Sequence, residues 1–201
     1  MNSTPFSEEL ARAEMYGLLA RLWLAPPDAP LLGQFQVAVT EAPQPGGFLE
    51  APWQALVAKM RAATVESAAD EFKALFQGVG KPEVFPYASY FLAGFVNEKP
   101  LAQLRSDLAR LGLTRDPALL ETEDHISYLF EVMRYLIAGD DAAVSNLEQQ
   151  RLFFRVHVQS WVEHLCKAVE DQPSADLWRA VAALTLAFIQ VETQAFDLLE
   201  A

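Results

Sequence analysis

Residues 78–82, with the sequence GVGKP, include residue types that occur in phosphate-binding loops. In such loops glycines expose backbone N–H groups to a phosphate, and a lysine reaches across to its oxygens. The full pattern also has a glycine five residues before its second glycine and a Ser or Thr after the lysine. Leu75 and Pro82 fill those positions here. The sequence therefore disfavours nucleotide hydrolysis, and a small helical nucleotide-binding protein or enzyme is kept only as an alternative interpretation.

The histidines are the other residues that could bind a metal, and they are His125, His157 and His164. A metal site needs three or four ligands at matched spacings, and no such cluster surrounds them. The sequence also lacks a nucleophile elbow, an HExxH motif and a paired-cysteine motif, and its single cysteine is Cys166. We therefore predict no catalytic residue, no metal and no cofactor, and expect His157 to pack with Trp161.

An acidic pair and a histidine, Glu123, Asp124 and His125, lie at the start of a predicted helix. Thr122 is the predicted cap of that helix, and acids in a first turn stabilise the helix dipole by about 0.3–1 kcal/mol each. This interpretation leaves His125 unexplained. An imidazole of ordinary pKa beside two carboxylates is a plausible recognition site for a cationic group.

Aromatic residues form a second group, in the helix end EFKALF at 71–76 and in PYASY at 86–90. Phe and Tyr around prolines build rigid apolar grooves with polar tips, and they also fill protein cores. The residue pattern leaves both interpretations open.

Helical periodicity dominates the elements that must position these groups. Ala11, Met15, Leu18 and Leu22 recur at helical spacing, and Leu19 and Trp23 widen this apolar stripe. A similar stripe runs from 177 to 195, after a predicted cap at Ser174. Further helices are predicted at about 31–39, 53–63, 66–76, 99–112, 122–138, 142–157 and 158–170. The segment VFPYASYFL comes closest to a strand, but proline interrupts it. We therefore predict an all-α fold, a single-domain helical bundle over residues 1–201.

Composition excludes several classes of function. Apolar residues make up 52% of the chain and charged residues 21%, which suits a folded core. The 27 acids against 15 bases give a formal net charge of -12, which would repel a nucleic-acid backbone. Neither a signal peptide nor an apolar run of about 18 residues is present. We expect a cytoplasmic protein without stable membrane insertion, and a monomer unless segments are exchanged between copies to form a dimer.

Four landmarks, in order and at about the family's spacing, resemble the TorD/DmsD/NarJ family of redox-enzyme maturation chaperones. EFKALF looks like the family's aromatic-x-x-Leu-Phe helix end, and GKPEVFPYASYFL looks like its loop leading into PYExxY. EDHISYLFEVM looks like its EDHIxxxLEFM helix, and FFRVHVQSW resembles its downstream helix with a spaced His and Trp. Together they span about residues 71–161. The departures are Ala88 in place of Glu, Phe72 in place of Tyr, and Val132 in place of an aromatic residue.

The resemblance implies an all-helical cytoplasmic chaperone that binds the twin-arginine signal peptide of a molybdenum-cofactor oxidoreductase subunit. It implies that the chaperone holds the apo form of this client until the cofactor is inserted, and prevents premature export. The implied binding region has an apolar surface of Leu75, Phe76, Pro86, Tyr87 and Tyr90, and a polar end of Glu123, Asp124 and His125.

The chemistry of such a leader agrees with that region. Arginines followed by an apolar helix-forming stretch need carboxylates for the guanidinium groups and a groove for the apolar face. A helical adaptor that recognises a folded partner is another interpretation. The sequence leaves the identity of the client oxidoreductase open.

Overall fold

The structure is a computed structural model that describes residues 5–40, 47–78, 81–116 and 118–199. Within these residues the fold is all-α, as predicted, and the only β-type pairing is an isolated antiparallel bridge between Tyr87 and His125. The helices are α1 (Pro5–Leu24), α2 (Ala29–Gln36), α3 (Glu50–Ala62), α4 (Val65–Phe76), α5 (Ala88–Ala93), α6 (Lys99–Arg110), α7 (Ile126–Ala138), α8 (Leu147–Phe153), a π-helical turn (Phe154–Gln159), α9 (Val162–Glu170) and α10 (Leu177–Leu198).

The chain divides into two compact units, and each is built from two separate segments. Unit 1 consists of Met1–Leu24 and Pro86–Trp161, and unit 2 consists of Ala25–Phe85 and Val162–Ala201. The single domain over residues 1–201 stays a prediction.

In unit 1, α7 forms the centre of the core and α1 packs along it. This core contains the apolar stripe of the helix predicted at about 122–138, and all its members are fully buried: Ile126, Leu129, Phe130, Met133 and Leu136. Tyr16 of α1 meets Phe130 edge to face, with ring centroids 5.5 Å apart. Burying a side chain of this size contributes about 1.5–3 kcal/mol, so this seam is a major source of the stability of unit 1.

The buried face of α1 matches the predicted stripe only in part. Leu19, Leu22 and Trp23 are buried as predicted, whereas Ala11 is exposed and Met15 and Leu18 are half-buried. Tyr16, which the stripe did not include, is also buried. Residues 15–24 are apolar almost all round the helix, so their spacing alone does not select one face.

In unit 2, α10 packs against α3, α4 and α9. Trp178 of α10 contacts Phe72 and Phe76 of α4, with ring centroids 5.2 and 6.1 Å apart. Among the described residues, α10 alone is long and apolar enough to cross a membrane by length and composition. Its packing in unit 2 is that of a core helix.

The predicted Ser174 cap of α10 is wrong. The Ser174 hydroxyl donates to Glu83 instead, over 2.6 Å. The start of α10 is satisfied by Glu71 of α4, whose carboxylate accepts from the N–H groups of Asp176, Leu177 and Trp178 at 2.8–3.0 Å. A carboxylate at a helix N-terminus also has favourable electrostatics with the helix dipole.

Thr122 as the cap of α7 is also wrong. The helix begins at Ile126, and the His125 side chain accepts from the N–H of Ser127 as the N-cap. Glu123 and Asp124 therefore lie before the helix and not in its first turn. Thr122 donates instead to Asp124, over 2.6 Å.

Candidate functional site

Two predicted site segments meet in a short antiparallel pairing within unit 1. The N–H of Ala88 donates to the carbonyl of Asp124 over 3.0 Å, and the N–H of Ile126 donates to the carbonyl of Pro86 over 2.9 Å. The rings of Tyr87 and His125 lie 5.1 Å apart, edge to face. The structure thus brings the PY and DH segments together.

Asp124 is completely buried beneath this pairing. One oxygen of its carboxylate accepts from the backbone N–H and the hydroxyl of Ser89, over 3.0 and 2.5 Å. The other oxygen accepts from the Thr122 hydroxyl over 2.6 Å. A buried carboxylate is stable only when such donors replace its hydration shell, so Asp124 fixes the start of α5.

His125 is also buried, with 4% of its surface exposed. Nδ1 accepts from the N–H of Ser127 over 3.3 Å and lies 2.7 Å from its hydroxyl oxygen. Burial lowers the pKa of His125 to about 4, so the ring is neutral at pH 7. The expected imidazole of ordinary pKa is therefore a neutral helix cap in this structure.

Tyr87 is half-buried and its hydroxyl donates to the Glu121 carboxylate. Burial and this carboxylate raise the pKa of Tyr87, and burial also raises the pKa of Tyr128. Both phenols stay protonated at neutral pH and present polar tips beside the His125 ring.

Glu123 is the member of the predicted acidic group that keeps partial exposure, at 13% of its side chain. Arg105 of α6 holds it with two parallel hydrogen bonds, from Nε to Oε1 over 3.0 Å and from Nη2 to Oε2 over 2.9 Å. The Arg105 guanidinium lowers the pKa of Glu123, which keeps the carboxylate ionised. This fork-to-fork geometry is the one that proteins use to recognise guanidinium groups.

Glu123 lines an apolar groove of about 710 Å³ in unit 1. The exposed apolar residues of the groove are Leu24 of α1, Leu119 of the connection between α6 and α7, and Tyr135 of α7. On its α1 side, a Cβ at Gly17 would lie 3.1 Å from Cδ of Arg134, so glycine leaves space for that side chain. The full lining is Gly17, Ala20, Arg21, Leu24, Leu108, Leu113, Thr114, Arg115, Asp116, Leu119, Glu123, Ser127, Tyr128, Glu131, Val132, Arg134 and Tyr135.

Comparison with known proteins identifies the family. The family described as nitrate reductase delta subunit matches residues 46–167, a range that includes all four sequence landmarks. The chain belongs to the TorD/DmsD/NarJ family. This confirms the resemblance, and relatives that are named chaperones confirm the prediction that the chain is not an enzyme.

Several members of the TorD/DmsD/NarJ family are similar to this chain, and each is named chaperone protein TorD. That of Vibrio cholerae is 31% identical over 142 residues, which cover 67% of this chain and 64% of the relative. That of Psychrobacter is 31% identical over 140 residues, covering 66% and 63%. The chain thus spans less than two thirds of the length of these relatives. That of Shewanella loihica is 25% identical over 214 residues, covering 97% and 96%.

The structure distributes the predicted site residues over both units. Leu75 and Phe76, at the family's first landmark, belong to unit 2, and the other six belong to unit 1. Leu75 is completely buried and its carbonyl accepts from the N–H of Val84 over 2.9 Å. Phe76 is half-buried. Pro86 is buried and Tyr90 is half-buried.

Sequence reasoning missed most of the groove that Glu123 lines. Besides α7, its walls come from α1 and from the connection between α6 and α7, most of which lies outside the four family landmarks. The available signal was the apolar residues off the core stripes, such as Leu24, Leu119 and Tyr135.

The remaining chemical candidates have structural partners. Nε2 of His157 lies 2.8 Å from Oδ2 of Asp107, and burial lowers the pKa of His157 to about 4. The indole of Trp161 donates to the backbone carbonyl of His157 over 2.8 Å, and the His157 ring lies 4.8 Å from the ring of Phe153. The predicted packing of the His157 and Trp161 side chains stays a prediction. Burial raises the pKa of the Cys166 thiol. Over the described part of the chain, no group of three or more His, Cys, Asp or Glu side chains could hold a metal ion.

The loop with partial similarity to a phosphate-binding loop is described only in part. Val79 and Gly80 lie outside the described residues, so the interpretation of GVGKP is not addressed by the structure.

Proposed function

We propose that this chain is a cytoplasmic chaperone that binds the twin-arginine signal peptide of a molybdenum-cofactor oxidoreductase subunit. In this proposal it holds the apo subunit until the cofactor is inserted, prevents premature export, and acts as a monomer without chemistry of its own. Membership of the TorD/DmsD/NarJ family supports a role in redox-enzyme maturation. The observation that carries peptide recognition is the Glu123 carboxylate, which lines an apolar groove and already holds a guanidinium group.

The two parts of the leader match the two parts of this site. An arginine side chain of the leader would form two hydrogen bonds with Glu123, in the geometry that Arg105 now uses. The apolar stretch that follows would cover Leu24, Leu119 and Tyr135. Burial of each large apolar side chain gives about 1.5–3 kcal/mol before ordering costs are subtracted, which is compatible with micromolar affinity.

The other predicted residues have distinct parts in this proposal. Asp124 and His125 hold the backbone that carries Glu123, because their own side chains are buried and hydrogen-bonded within the fold. In unit 1, Tyr87 and Tyr90 are half-buried and are proposed to contribute aromatic contact area, with Pro86 as buried support. In unit 2, Phe76 is half-buried and is proposed to contribute apolar contact area, with Leu75 as buried support.

Isothermal titration calorimetry of the full chain against synthetic twin-arginine leader peptides tests the proposal. We expect micromolar binding, and at least tenfold weaker binding of a matched peptide with both arginines replaced by lysine, about 1.4 kcal/mol, because lysine cannot form the two-pronged contact. Absence of binding to every such leader at tens of micromolar would contradict the proposal. Capture of a client that lacks its leader would favour the adaptor interpretation instead.

A further inference from the structure

We propose that Arg105 is a built-in competitor of the leader peptide: its guanidinium occupies the Glu123 carboxylate in the free protein and is displaced when a leader arginine binds. This inference rests on the proposed function, since it concerns the regulation of that same site. It assigns to Arg105 a role in setting the affinity and selectivity of leader binding.

The ion pair has the geometry of a recognition contact. Both Nε and Nη2 of Arg105 donate to Glu123, one to each carboxylate oxygen, over 3.0 and 2.9 Å. An arginine supplied by a peptide would use the same donors and the same oxygens. A leader arginine that binds in this same two-pronged geometry must displace Arg105, because the two guanidinium groups would use the same acceptor site on each oxygen.

The exposure of the two side chains indicates which member of the Arg105–Glu123 pair can move away from the other. The side chain of Glu123 is 13% exposed, whereas that of Arg105 is 51% exposed. The carboxylate is therefore held in place by its surroundings and covered by a side chain that lies largely in solvent. Arg105 can swing away from the carboxylate into water without opening the core, because its guanidinium remains hydrated there.

The pair also differs from helix-stabilising ion pairs in the same unit. Arg134 and Glu131 lie three residues apart on α7, a spacing that supports the helix itself. Arg105 lies on α6, and Glu123 precedes α7 in the connection that contributes to the groove. The Arg105–Glu123 pair thus covers a groove residue and adds nothing to the internal support of a helix.

Competition of this kind has a defined thermodynamic consequence. The state that can bind the leader is the one in which Arg105 has left Glu123. When only a fraction of the protein is in this state, the apparent dissociation constant of the leader equals the intrinsic constant divided by that fraction. Removing Arg105 raises that fraction and tightens leader binding. Binding to the wild type exchanges one guanidinium for another at Glu123, whereas binding to a variant without Arg105 creates a new ion pair. The variant should therefore show a steeper loss of affinity with salt.

The test compares leader binding by calorimetry across matched variants of the full chain. Arg105→Gln should bind a twin-arginine leader about three- to fivefold more tightly than the wild type at low salt, as expected for loss of an exposed ion pair. Arg105→Lys should fall between the two, since lysine lacks the fork. Lys167→Gln removes the same charge from an exposed ion pair in unit 2 and should leave the affinity unchanged.

A double-mutant comparison ties the effect to the carboxylate. In a Glu123→Gln background, the Arg105→Gln change should give no further tightening, because the shared partner is gone. If the wild type binds the leader and Arg105→Gln binds equally or more weakly, the competitor role is overturned while the proposed function stands. If neither the wild type nor Arg105→Gln binds any leader, both are overturned.

Discussion

Asp124 was expected at the polar end of a binding cleft, and its surroundings indicate a structural role. Its carboxylate accepts hydrogen bonds from three donors of the fold: the N–H and hydroxyl of Ser89 and the hydroxyl of Thr122. A sequence cannot distinguish this from a ligand-binding acid, because the partner Ser89 lies 35 positions away. The neighbouring Glu123 is the acid of this pair that stays partly exposed and lines the groove.

Replacing Asp124 should therefore mainly lower the stability of the fold. We expect Asp124→Ala to lower the free energy of unfolding by about 2–3 kcal/mol, since it leaves buried donors without an acceptor. Urea denaturation followed by circular dichroism measures this. Asp140→Ala, at an exposed acid of unit 1, is the control and should change little. Equal stability of the two variants would contradict the structural role of Asp124.

The buried histidines predict how stability depends on pH. The pKa of His125 is lowered from 6.5 to about 4, so between those values the unfolded chain binds a proton that the folded chain does not. This contribution is fully present above pH 6.5 and is lost as the pH falls toward 4. His125→Asn keeps a capping acceptor without the titration, and should reduce the loss of unfolding free energy between pH 7 and pH 5.

His164→Asn, at an exposed histidine, serves as the control for that series. This control variant should keep the pH dependence of the unfolding free energy that the wild type shows. His157 also contributes to that pH dependence, because its pKa is lowered in the same direction as that of His125. An undiminished pH dependence in His125→Asn would show that His125 is not buried as a neutral ring.

At the scale of elements, apolar periodicity predicted most of the helices, whereas the residues that cap those helices were predicted poorly. The stripe of α7 could be predicted because polar residues separate its apolar positions, whereas α1 is apolar nearly all round. The cap of α10 could not be predicted, because Glu71 reaches it from 105 positions earlier in the chain. The short helix α5 was also missed, since it starts from the buried Asp124 contact to Ser89.

Glu71 should consequently stabilise α10 from outside that helix. We expect Glu71→Ala to lower the free energy of unfolding by about 1–2 kcal/mol, because three backbone N–H groups lose their acceptor. Thermal and urea unfolding measure the change. Lys73→Ala, at an exposed position of the same helix α4, is the matched control. A loss no larger than that of the control would contradict the capping role.

At the scale of the whole molecule, the groove beside Glu123 allows the proposed leader binding to be tested apart from stability. Leu119 lines the groove and is 36% exposed, whereas Leu120 is 93% exposed and is not among the lining residues. We expect Leu119→Ser to weaken leader binding about fivefold or more, since about 1 kcal/mol of apolar burial is lost. Leu120→Ser should bind as the wild type does, and equal effects of the two changes would remove the groove from the proposal.

The fold class and most helices could be predicted from the residue pattern, whereas the meeting of the PY and DH segments was implied only by the family resemblance. The groove could not, because it is formed by α1, α7 and the connection before α7, and no single stretch of sequence carries its pattern. The same holds for the Arg105–Glu123 pair, whose members lie 18 positions apart on different elements.

The division of unit 1 into two chain segments has a consequence for synthesis of the protein. Among the described elements α1 packs mainly along α7, so this apolar seam stays incomplete until α7, which begins at Ile126, has left the ribosome. At translation rates of about 5–20 residues per second, Tyr16, Leu19 and Trp23 wait several seconds or longer in an incomplete nascent chain. The early hydrophobic helix of this chain must therefore be shielded from wrong contacts until α7 is available.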